Sequence, residues 1–89
     1  MFFECTRCQK KYECDMMNTQ APDCACFVVE NKDSSKSIYG GYGSQYDLLH
    51  FEVIKNNAVK TGLICDNCIT ELLEKEIIVE IGEYNAFGN

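Results

Sequence analysis

Two C-x2-C pairs, Cys5/Cys8 and Cys65/Cys68, stand far apart in the chain and limit its possible folds more than any other feature. Two intervening residues let both sulfurs of a pair turn toward one tetrahedral ion, and a second pair completes the shell. A chain of 89 residues sits near the size at which an apolar core alone is marginally stable, so a supplement is expected: disulfides, a metal or a partner subunit. The 7 cysteines offer the first two. Met1-Phe2-Phe3-Glu4 runs straight into the first pair without the basic and apolar regions of a secretory leader. Together with the odd cysteine count, this favours reduced thiols and metal over a disulfide framework, and a cytoplasmic setting. No apolar run approaches the roughly 20 residues of a membrane span.

Residues 1–4 read as a short strand leading into the first pair, and residues 9–24 as irregular polar chain. Cys26 to Glu30 is a strand rich in β-branched and aromatic residues, followed by the polar loop "NKDSSKS" and a strand from Ile38 to Tyr42 broken by glycines. "YDLLHFEVI", residues 46–54, alternates, Asn56-Asn57 makes a turn, and Val59 to Ile64 runs back. The expectation is therefore a β-hairpin over 46–64 feeding the second cysteine pair. Asp66 is placed to cap a helix in which Ile69, Leu72, Leu73 and Ile77 form an apolar stripe opposite Glu71, Glu74 and Lys75. "IIVEI", residues 77–81, predicts a final strand because four of its five residues are β-branched. Gly82 to Asn89 reads as a lightly docked tail, and the whole of 1–89 as one domain.

A knuckle after a short strand, a hairpin, then a helix whose first turn carries the last two cysteines resembles the treble-clef zinc fingers. The resemblance rests on the two cysteine pairs and the 46–76 segment; the insertion between the pairs is longer than a minimal member needs. It implies a small α+β, zinc-stabilised domain with Cys5, Cys8, Cys65 and Cys68 as the metal ligands. The helix placement has a physical reason, since orphan N–H groups at a helix start favour thiolate. The long gap is no obstacle. Closing a loop of about 57 rather than about 16 residues costs roughly 1 kcal/mol more, against roughly 10–16 kcal/mol from structural zinc.

Cys14, Cys24, Cys26 and the one histidine, His50, would complete a second tetrahedral site, giving two zinc ions instead of one. They would equally serve as packing residues, since free cysteine is among the most buried types. A third arrangement pairs Cys5/Cys8 with Cys24/Cys26 and leaves Cys65/Cys68 to recruit Cys14 and His50. The spacing alone leaves all three open.

Eight basic side chains face 14 acidic ones, a net charge of −6, and four thiolates around a dication add −2 more. Arg7 is the one arginine. That balance disfavours duplex binding, for which phosphate neutralisation supplies most of the affinity. A dithiol oxidoreductase would need its C-x2-C on an early helix of a βαβ unit, and this motif opens the last substantial helix. Neither H-E-x-x-H nor the deaminase signature occurs, so a catalytic zinc site is not expected. "YGGYGSQY", residues 39–46, matches no phosphate-binding glycine loop. It reads as a glycine turn, or as a contact surface formed by Tyr39, Tyr42 and Tyr46. The expected role is a protein-interaction or adaptor module, or a small acidic inhibitor of the kind phages encode, docking on a basic partner. The alternative is a nucleic-acid-binding finger using Arg7, Lys10, Lys11 and the tyrosines.

Overall fold

The β-branched and aromatic runs become strands of one antiparallel sheet, and the cysteine pairs close one of its edges. The computed structural model describes residues 2–13, 25–41 and 44–83. Within them the order is β1 (Phe2–Glu4), β2 (Lys11–Glu13), β3 (Ala25–Glu30), β4 (Lys36–Gly40), β5 (Leu49–Val53), β6 (Gly62–Cys65), α1 (Asp66–Glu74) and β7 (Ile78–Glu83). The first two strands form a hairpin, and the other five form a sheet in the order β6-β3-β4-β5-β7 with every neighbour antiparallel. The architecture is small α+β, as expected.

Period-2 alternation sorts the sheet into two faces. Cys26 and Val28, Ile38, Phe51 and Val53, Ile64 and Ile78 occupy one face and are buried there with Ile69 and Leu72 of α1. Each fully buried aliphatic or aromatic side chain contributes about 1.5–3 kcal/mol, so this single layer is most of the apolar cohesion available. The alternate row of Leu63, Phe27, Tyr39 and His50, aligned across four strands, is only half-buried.

The expected hairpin over 46–64 does not form. β5 pairs with β4 and β7, whereas β6 lies at the opposite edge against β3. Between them a 3-10 turn at Asn56–Ala58 and the buried Val59 carry the chain across the sheet. Alternation specifies which face a strand buries, not which neighbour it takes, so sequence adjacency was a poor guide here. The treble-clef order of knuckle, hairpin and helix is therefore not reproduced, although both cysteine pairs keep their local settings. Residues 45–48 are turns rather than the start of β5, and Lys11–Glu13 is a strand where irregular chain was expected. The final strand over "IIVEI" forms one residue later, and it takes in Gly82 and Glu83.

The glycines of residues 39–46 serve backbone approach. A Cβ on Gly40 would lie 1.6 Å from the Tyr46 carbonyl oxygen, and one on Gly41 would lie 2.2 Å from the Ala25 carbonyl oxygen. Only glycine lets the chain fold back this tightly beside the sheet.

Candidate metal centre

Cys5 follows β1 directly, and the next residues form a knuckle. The Cys5 N–H donates to the Lys10 carbonyl and the Gln9 N–H to the Cys5 carbonyl, each at 3.0 Å. Gln9 adopts φ 60, a left-handed conformation that closes the turn and costs a side-chain-bearing residue more than glycine. The Thr6 N–H donates to the Leu63 carbonyl at 3.0 Å, hanging the knuckle on the free edge of β6. Gly62 sits opposite at φ 121, where a Cβ would meet Thr6 Cγ2 at 2.8 Å. Phe3 stacks on Tyr12 with ring centroids 5.5 Å apart, bracing the β1–β2 hairpin.

The second pair comes from the junction of β6 and α1. Cys65 ends the strand and, with extended φ −78 and ψ 159, is itself the N-cap of the helix. Asp66, expected as the cap, is the first helical residue, still well placed against the positive helix end. Cys68 lies in the first turn and is buried, as are Cys5 and Cys65; Cys8 is half-exposed.

These elements bring the four sulfurs within 4.8 Å of one another. Cys5 Sγ lies 3.6 Å from Cys68 Sγ, and Cys8 Sγ lies 3.9 Å from Cys65 Sγ. Metal–sulfur bonds of about 2.3 Å in a regular tetrahedron set sulfurs about 3.8 Å apart, whereas a disulfide needs about 2.05 Å. The cluster has the dimensions of a metal site. The Arg7 and Cys65 N–H groups each point at Cys5 Sγ from 3.4 Å, donors that stabilise thiolate.

Burial pushes the Cys65 and Cys68 thiols up. Burial also opposes ionisation of Cys8, but the Lys10 amide, the Tyr12 hydroxyl and the adjacent thiols outweigh it and bring its pKa down to about 7. A bound dication reverses this logic, because a coordinating thiol gives up its proton. The Arg7 guanidinium lies beside Cys68 and pairs with Glu71; both contacts raise its pKa, and it places one positive charge against the cluster.

Cys14, Cys24 and Tyr42 lie outside the described residues. Cys26 is buried on the helix-facing side of β3, with its sulfur 3.6 Å from Ser44 Oγ and 3.9 Å from Asp66 Oδ1. Burial raises its pKa to about 11, with weaker opposing help from Ser44, so it stays a neutral thiol. Cys65 and Cys68, rather than Cys26, cluster with Cys5 and Cys8; the rearranged pairing also called on Cys24, which lies outside the described residues. His50 occupies the opposite face of the sheet, stacked on Tyr39 at 4.5 Å, with Nε2 buried and lacking a partner among the described residues. Among the described residues, the four cysteines are the one group that combines three or more candidate ligands.

Tyr39 and Tyr46 do not share one patch. Tyr46 turns inward, its ring edge-on to Phe51 at 5.7 Å and its hydroxyl bonded to Thr70 Oγ1. Tyr39 is half-buried against His50. Glu71, Glu74, Glu76, Glu80 and Glu83 are exposed, as expected of a solvated acidic face. The sequence reading missed the joint role of Asp66, which accepts from Ser44 Oγ and from the Gln45 N–H at 3.0 Å and so ties the 44–48 turn to the helix.

No protein-family model matches the chain, and neither a curated protein nor a solved structure does so. No helix among the described residues is long and apolar enough to cross a membrane.

Proposed function

We propose that Cys5, Cys8, Cys65 and Cys68 hold one zinc ion as a closed structural centre, and that the domain so fixed works as a protein-interaction module, an adaptor or an inhibitor. The observation that carries the zinc reading is the sulfur spacing of 3.6 and 3.9 Å, which brackets the edge of a tetrahedral thiolate shell. Four thiolates suit zinc or iron. Four protein ligands fill a tetrahedral ion and leave no position for substrate water, which favours a structural over a hydrolytic role.

The interaction role rests on charge. A net −6 suits a basic protein surface, and Arg7 is already engaged by Glu71 and Cys68. That leaves the nucleic-acid alternative without its best phosphate ligand. Elemental analysis with native mass spectrometry tests the centre: the expected result is one zinc per chain, released as pH falls because the ligands must be thiolates. A metal-free folded chain, or one with its cysteines in disulfides, would refute the centre; visible absorption from iron would change the ion.

A further inference from the structure

The two edges of the sheet are finished differently. At β6 the Thr6 N–H donates to the Leu63 carbonyl, and the knuckle covers that side. At the other end of the order stands β7, with no strand among the described residues on its outer side. Natural edge strands are blunted by lysine and other charges, proline, bulges, shortness or a covering segment, and β7 uses two of these, its glutamates and the irregularity at Ile81. Ile78–Glu83 is six residues long, has neither lysine nor proline, and exposes Val79 at 42 % and Ile81 at 50 %. Ile54, 60 % exposed, lies on the β5 side of the start of β7, where its N–H donates to the Ile77 carbonyl. A register shift between His50 and Phe51 leaves Ile81 without a partner across β5.

The charges on this edge choose between occupants. Glu80 and Glu83 are exposed on β7, and Glu52 is exposed beside Val79. Pairing with a second copy would bring acidic strands together, and like charges across a strand pair destabilise it. A strand carrying lysine or arginine gains at the same positions, while its apolar residues cover Val79 and Ile81.

We infer that the outer edge of β7 is a docking strand for an extended peptide segment in which basic and β-branched residues alternate. This rests on the interaction-module reading above and names its surface and partner class. The backbone of β7 supplies main-chain hydrogen bonds, and the acidic side chains select the partner and steer its approach.

The test uses the metal-loaded full chain and an end-blocked peptide, Lys-Val-Lys-Ile-Lys-Val, against a grouped control, Lys-Lys-Lys-Val-Ile-Val. Amide chemical shifts and hydrogen exchange follow each titration. The expected result is new protection at alternate β7 amides with the alternating peptide and weaker binding of the control. Affinity should fall about tenfold in a folded Glu80→Lys/Glu83→Lys variant. Absence of binding would overturn the proposal, as would equal binding of both peptides, shifts confined to residues away from β7, or a dimer that already protects β7. Metal content is read on the same samples, so loss of the zinc reading and loss of the docking edge give separate results.

Discussion

Residues 65 and 66 are neighbours, yet they anchor the start of α1 to two regions held by different chemistry. Cys65 belongs to the sulfur corner, where four thiols gather within 4.8 Å and their burial raises the pKa of Cys65 and Cys68. Asp66 belongs to an oxygen latch: it accepts from Ser44 and Gln45, while Tyr46 reaches Thr70 one turn further along. The latch is complete with the chain's own donors and acceptors. In the corner, burial opposes ionisation of Cys65 and Cys68, while the pKa of Cys8 is brought down to about 7. The same helix start is thus tied to a cluster suited to a metal on one side and to a latch of ordinary hydrogen bonds on the other.

The largest effect that would sharpen this contrast is Cys68→Ser. It should abolish metal binding and, since roughly 10–16 kcal/mol of metal affinity exceeds or equals the usual 5–15 kcal/mol of net stability, leave the chain unfolded by circular dichroism. A cooperative melt in that variant would break the comparison. Gly40→Ala acts on the other region: its Cβ would lie 1.6 Å from the Tyr46 carbonyl oxygen, so a loss of roughly 3 kcal/mol or more is expected in urea denaturation. Metal content per chain should be unchanged.

Asp66→Ala should cost about 1 kcal/mol: the buried Ser44 hydroxyl loses its acceptor but keeps its contacts with Cys26 and the Tyr46 N–H, and the exposed Gln45 amide turns to water. Faster amide exchange at residues 44–48, with the metal retained, is the signature to look for. Arg7→Ala should give the smallest change, because its ion pair with Glu71 is exposed and screened. Loss of metal in this variant would show that the guanidinium is needed to balance the thiolates, and the two regions would then not divide as described.

The sequence revealed the parts of the fold that depend on local chemistry. The C-x2-C spacing picked out the four cysteines that cluster, because convergence within a pair is a property of two or three peptide units. The strand at "IIVEI" and the stripe of Ile69 and Leu72 were legible for the same reason. The partner of β6 was not, because the alternation in 46–64 is satisfied equally by pairing with β5 or by joining β3 across the sheet. Lys11–Glu13 was missed because a strand of three residues carries too little pattern, and only its pairing with β1 reveals it. Tyr46 was read as surface because nothing in "YGGYGSQY" signals that Gly40 brings its ring under Phe51.

The placement of β6 at the sheet edge beside the knuckle also sets a schedule for synthesis. A nascent chain presents Cys5 and Cys8 long before Cys68 is made, so the four sulfurs can gather only once synthesis has passed the start of α1.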